Sequence, residues 1–200
     1  QLGWGSNQAF RNWRTVVEGA GTFVLLKNFP LADCKGFTIY DHRSAPIIVI
    51  SKKERLDVAR TFTLLHEYAH LLLREPGLSD HDDRNPVEAF CNRFAAAFLM
   101  PRNIIREMLG GWPLEPQDWD MGDVRNWARQ LKVSQQAMAL RFERLGIAPA
   151  GYYNTFRERQ GQAAAPREPN GGNYVATQVN ELGDRFSYSV LQAEHGARIA

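Results

Sequence analysis

Residues 64–73 read LLHEYAHLLL, an apolar run with two histidines and a glutamate in its middle. Leucines at 64, 65, 71, 72 and 73 place apolar atoms all round a helix axis, as in a helix meant for a core. Polar groups inside such a helix need partners. His66 and His70 are four positions apart, so both rings project from one face, about 6 Å apart along the axis. That spacing suits two ligands on one cation. Imidazole nitrogen binds zinc at about 2.0–2.1 Å, and two histidines leave room for a third protein ligand and an exchangeable water. Glu67 is rotated off the histidine face and is better placed to take a proton from that water than to act as a ligand. Core histidines held only by hydrogen bonds are the competing reading of the same five residues.

The flanking sequence favours the metal. A strand candidate precedes the histidine helix, and a second apolar helix follows it as PVEAFCNRFAAAFLMP, Pro86 to Pro101, with small and aromatic residues suited to close packing. Glu88, near the start of that helix, is an expensive carboxylate there unless it is paired or bound to a metal. Upstream, Thr22–Leu26, Gly36–Tyr40 and Pro46–Ser51 are short runs rich in Val, Ile and Phe between Pro, Asp and Gly signals, and read as strands. Ser6 is a candidate N-cap for a helix through Phe10, Trp13, Val16 and Val17, ended by Gly-Ala-Gly at 19–21. The histidine helix is expected over about Lys53 to Leu73, stopped by Glu-Pro-Gly at 75–77, and Pro101 ends or kinks the second helix.

Downstream, Asp123–Leu131 and Ser134–Leu145 read as two helices joined by a short turn. The chain loosens after Gly146, and GQAAAPREPNGG at 161–172 is a linker by composition. Val175, Val179, Leu182, Phe186 and Val190 then recur at helical spacing, an apolar stripe that would dock or find a partner. The expected fold class is α+β, a small mixed sheet packed on the histidine helix and a second ligand-bearing helix, followed by a helix-turn-helix-like region. The expected divisions are 1–110, 111–160, a linker at 161–173 and a terminal helix at 174–200.

Composition narrows the function class. The chain has 200 residues, 44% hydrophobic and 23% charged, as an ordinary globular protein does, and its formal charge of +2 supplies no global pull toward nucleic acid or an anionic membrane. Cys34 and Cys91 are far apart and form no CxxC, which fits a reducing compartment. No apolar run approaches the roughly 20 residues of a membrane span, and QLGWGSNQAFRNWR lacks the apolar centre of a signal peptide, so a cytoplasmic protein with no membrane partner is expected. The chain opens on Gln1 without an initiator Met, which is the expectation for a fragment.

RTFTLLHEYAHLLL followed by VEAFCNRFAAAFLMP resembles the ImmA/IrrE family of bacterial metallopeptidases, with its FTLxHExxH helix and ExxxNxFAxxxLMP helix. The order GFTIYDH, APIIVIS, HEYAH matches as well. The resemblance is strong over about Val16 to Met100 and weaker to Gly146. It implies His66, His70 and Glu88 as metal ligands, Glu67 as the catalytic glutamate, a fold similar to the minimal thermolysin-like core, and a protein substrate that is a helix-turn-helix transcriptional repressor. Zinc is the expected ion, with manganese a possible replacement in a His, His, Glu set. The strand Ile47–Ile50 offers either a free edge for an extended substrate or an internal strand.

Other residues carry weaker signals. Asn92, one turn after Glu88, either supports a ligand or bridges two helices. Cys91 reads as a small buried residue. His81, Asp82 and Asp83 read as a solvated loop, with His81 a candidate to stabilise a transition state, a role that Tyr40, His42, Tyr152 and Tyr153 fit equally well. DVRNWARQLKVSQQAMALRFERLG resembles a helix-turn-helix in which Arg125, Arg129, Lys132, Arg141 and Arg144 could meet phosphates, diluted by Asp123 and Glu143. The alternative function is therefore a DNA- or protein-binding transcriptional regulator whose metal site is structural or vestigial. An intact HExxH with Glu67 retained favours the peptidase, because a structural site needs no such glutamate.

Overall fold

The computed structural model describes residues 8–29, 34–41, 43–74, 85–161 and 181–197. Among these, the elements run α1 (Ala9–Gly19), β1 (Phe23–Lys27), β2 (Gly36–Ile39), β3 (Ile47–Ser51), α2 (Asp57–Leu73), α3 (Pro86–Leu99), α4 (Arg102–Met108), α5 (Met121–Leu131), α6 (Gln135–Arg144), α7 (Tyr152–Gln160) and α8 (Asp184–Ala197). The class is α+β, with a three-stranded mixed sheet in the order β1-β3-β2. The chain packs as two units, Gln1–Asn92 with Asn170–Ala200, and Arg93–Pro169.

In the first unit β3 lies between a parallel β1 and an antiparallel β2. Ile47–Ile50 is therefore the internal strand, buried on both sides as an unbroken apolar run requires, and among the described residues β2 is an edge. Register aligns Val24, Ile48 and Thr38 across the sheet, and Leu26, Ile50 and Gly36 in the next inward row. The first two columns meet Phe10 and Val17 of α1 and Leu64 of α2 in one apolar core. Burying each of these larger side chains contributes about 1.5–3 kcal/mol. The third column has only a threonine and a glycine facing inward, so α2 can lay polar groups over β2.

Three boundaries differ from the sequence expectation. The first helix starts at Ala9 with Gln8 at its cap position, and Ser6 lies outside the described residues. The second begins at Asp57 rather than Lys53, because Lys52 N–H donates to Lys27 O and Arg60 folds back onto the Lys52 and Glu54 carbonyls, holding 52–56 in a turn. A helix also forms at Tyr152–Gln160, where the sequence reads as loosened chain, anchored by buried Tyr152 and Phe156. Of the C-terminal stripe, Val175 and Val179 lie outside the described residues, whereas Phe186 packs edge-on against Phe23 at 5.8 Å and Val190 is exposed.

The second unit is helical. Asp120 caps α5 by accepting from Gly122 N–H, and Ser134 caps α6 by accepting from Ala137 N–H at 3.0 Å. Trp119, Trp127 and Phe142 form its aromatic centre, with ring centroids 5.2–5.5 Å apart. No described helix is long and apolar enough to cross a membrane.

Candidate active site

The histidine helix and the start of α3 bring His66, His70 and Glu88 together. His66 Nε2 is 3.0 Å from Glu88 Oε2 and 3.2 Å from His70 Nε2, and His70 Nε2 is 3.2 Å from Glu88 Oε1. The three residues are 6%, 1% and 3% exposed, in that order. Asn92 Oδ1 lies 2.9 Å from His66 Nδ1. An amide oxygen only accepts, so Nδ1 carries the proton and the Nε2 of a neutral ring turns a lone pair toward the cluster.

That donor set fits a metal ion. Lone pairs on two imidazoles and a carboxylate meet in a buried volume, and their mutual repulsion is relieved by a cation among them. A tetrahedral ion with bonds of about 2.0–2.1 Å spaces its ligands about 3.3–3.4 Å apart, close to the separations found. His66, His70 and Cys91 also form a group able to hold an ion, their ligand atoms lying within 4.8 Å of one another. From the sequence Cys91 reads as a small buried residue, and it is buried. Its placement one turn beyond Glu88 makes it a second candidate for the third position, but the carboxylate offers one oxygen to each imidazole, at 3.0 and 3.2 Å.

Glu67 is wholly buried and turns toward the edge strand. Thr38 Oγ1 is 2.9 Å from Glu67 Oε2 and 3.1 Å from the Glu67 carbonyl oxygen. Glycine at 36 is what lets the helix come so close, since a Cβ there would stand 2.9 Å from Thr63 Cγ2, 3.0 Å from Val49 O and 3.1 Å from Glu67 Oε1. Nothing in the sequence marks this contact. A threonine in a strand reads as β-propensity, and only the register shows which face it takes.

The remaining candidates separate. Tyr40 follows β2 directly, whereas His42, His81, Asp82 and Asp83 lie outside the described residues. Tyr152 and Tyr153 belong to the second unit, where burial pushes the Tyr152 phenol up to about 12 and its hydroxyl donates to Trp119 O at 2.8 Å. In the helix-turn-helix-like region, α6 exposes only Gln136 and Arg144. Arg141 Nε donates to Met100 O at 3.1 Å, and burial, with Arg144 and Arg102 nearby, lowers its pKa. Glu143 accepts from Tyr153 N–H at 2.8 Å. Arg125, Arg129 and Arg144 remain exposed, and Lys132 is held in a left-handed cap at φ 56°.

A search of curated proteins gives no match. Residues 17–143 match the family model described as the IrrE N-terminal-like domain of peptidase family M78. That span takes in the sheet, the histidine helix, α3 and the paired helices α5 and α6, and the chain belongs to this family, which is of metallopeptidase type.

Proposed function

We propose that the chain is a zinc-dependent endopeptidase that cuts a specific partner protein, with His66, His70 and Glu88 holding the ion and Glu67 acting as general base. The observation that carries this reading is the convergence of both imidazole Nε2 atoms on the Glu88 carboxylate beside a buried Glu67. Burying two carboxylates and two imidazoles costs several kcal/mol, which packing alone does not repay, and such expense marks functional sites. When bound, the ion supplies Lewis-acid activation of water and of the scissile carbonyl. The mixed imidazole and carboxylate set leans toward zinc, with manganese the alternative. Glu67 takes the proton of the attacking water on its carboxylate and delivers it to the leaving amine.

The edge strand supports a place for the substrate. Ser51 N–H donates to Lys35 O, so by antiparallel alternation Phe37 and Ile39 exchange bonds with β3, whereas the main-chain groups of Gly36 and Thr38 point away from it. These are the residues whose inward faces meet Glu67. A peptide added along β2 would be held by main-chain bonds with little demand on its sequence. Selectivity then has to come from a second docking contact. The choice of a helix-turn-helix repressor as substrate rests on family membership, and that of a cytoplasmic setting on the widely spaced Cys34 and Cys91.

Direct reading of DNA is the second proposal, favoured by the exposed Arg125, Arg129 and Arg144. A reading helix needs several free side chains on one face, and two on α6 count against it. A pull-down comparing wild type with Glu67→Gln separates the two. The variant is expected to keep its metal and melting temperature, retain an uncut protein partner and fail to cleave it, while wild type with zinc converts that partner to fragments and chelator stops it. Enrichment of specific DNA by the variant, with no cleavage by zinc-loaded wild type, would replace the peptidase with the regulator.

A further inference from the structure

We propose that Thr38 is a positioning residue for Glu67, acting through its hydroxyl, with Gly36 providing the room; this rests on the general-base role given to Glu67 above. A glutamate side chain has three rotatable bonds, and a carboxylate that must meet one proton at one place works only if its conformers are restricted. Thr38 restricts them in a particular way. Its hydroxyl lies within hydrogen-bond distance of both the Oε2 and the main-chain oxygen of the same residue, at 2.9 and 3.1 Å. With one proton to donate, it serves one of these oxygens at a time, and directed to Oε2 it holds the far end of the Glu67 side chain against β2. The contact to an ionised carboxylate is charge-assisted and the stronger of the two.

The strand makes that hydroxyl a rigid support. Threonine is β-branched and stiff at χ1, and Thr38 is buried opposite Ile48 in a hydrogen-bonded ladder. The other carboxylate oxygen, Oε1, lies where a side chain at Gly36 would stand. Successive inward positions of β2 thus bracket the carboxylate, one by a donor and one by a missing Cβ. The same strand turns main-chain groups outward at these two residues, so an extended peptide on that edge and the base are indexed to one rigid element.

A merely structural bond between strand and helix would cost stability when removed and leave turnover alone. The test uses the full chain loaded with zinc and a fluorescence-quenched peptide chosen from a mixed-sequence library by wild-type cleavage. Thr38→Val, isosteric and without the hydroxyl, is expected to lower kcat about 100-fold with KM and zinc content near wild type, and Thr38→Ser to return it to within about threefold. Thr38→Ala serves if the valine variant does not fold. Crystal structures of zinc-loaded wild type and Thr38→Val give a readout without turnover, in which the Glu67 carboxylate is expected to leave its wild-type rotamer. Unchanged kcat in Thr38→Val, or an unchanged Glu67 conformer, would overturn the assignment. If wild type cleaves no library peptide and no partner, the peptidase reading fails, and the Glu67 conformer alone decides whether Thr38 positions it.

Discussion

Asn92 Oδ1 accepts the Nδ1 proton of His66 at 2.9 Å, which fixes both the tautomer and the ring plane of a residue whose other nitrogen faces the cluster. Removing such a supporting contact ordinarily weakens metal binding about 10- to 100-fold. Asn92→Ala is expected to do so in competition with a zinc-chelating dye, and Asn92→Asp, which can still accept that proton, is expected to hold zinc at least as well as wild type. Equal affinities for Asn92→Ala and wild type would leave Asn92 as a bridge between α2 and α3 and nothing more.

Glu88 and Cys91 compete for the third position, and linkage between binding and folding distinguishes them. Zinc at about 100 times its dissociation constant stabilises the folded chain by about 2.7 kcal/mol, because the unfolded chain does not hold the site. The rise in melting temperature on adding zinc should persist in Cys91→Ser and largely vanish in Glu88→Gln and His70→Ala. The opposite pattern, with Cys91→Ser insensitive to zinc and Glu88→Gln responding like wild type, would move the third ligand to the thiol.

Gly183 sits at φ 83°, and a Cβ built on it would run into the Glu18 carboxylate and the Arg14 guanidinium. Those two groups form a buried ion pair at 3.1 Å. Arg14 also bonds to Val24 O and Glu181 O, Arg185 to Glu18 O, and Lys52 pairs with Glu181. Gly183→Ala is therefore expected to destabilise by about 2–4 kcal/mol in denaturant unfolding, combining backbone strain with a broken polar network. Gly151 is the control, since it has φ 84° but nothing within 4 Å of an added Cβ, and its alanine variant should lose only about 1 kcal/mol. Equal losses at the two positions would mean that the C-terminal segment contributes nothing through this contact.

The sequence was most legible where spacing alone sets geometry. His66 and His70 had to share a face of any helix that held them, and a carboxylate on an apolar helix had to find a partner, so their meeting with Glu88 follows from local chemistry. Which strand forms the edge does not. An unbroken Ile-Ile-Val-Ile run satisfies an internal strand and a covered edge equally, and the choice is made by β1 pairing parallel to β3, a contact distant in sequence. Thr38 and Gly36 were unreadable for the same reason, because their role depends on the column of the sheet under α2. The helix at Tyr152–Gln160 is not legible in the sequence because only Tyr152 and Phe156 of its nine residues turn fully inward, too short a stripe to stand out among polar neighbours.

Tyr152 gives a pH test of the second unit. Its ring is buried at 3% exposure, its hydroxyl donates to Trp119 O, and burial, assisted by Asp118, holds the phenol up to about 12 against an ordinary value of 10.0. The folded state thus binds this proton more tightly than the unfolded chain does. Its contribution is complete below about pH 10, where both states keep the proton, and is lost as pH rises toward about 12, where unfolding releases it. A loss on the order of 2 kcal/mol is expected across that window. Tyr152→Phe should be less stable than wild type at neutral pH by about 1 kcal/mol, the net worth of the hydrogen bond, and should fall less steeply in alkali. Comparing the two by urea unfolding cancels the lysines and other tyrosines that titrate in the same range. Parallel curves for wild type and variant would show the phenol ionising freely, which would return Tyr152 to the hydroxyls available to a substrate.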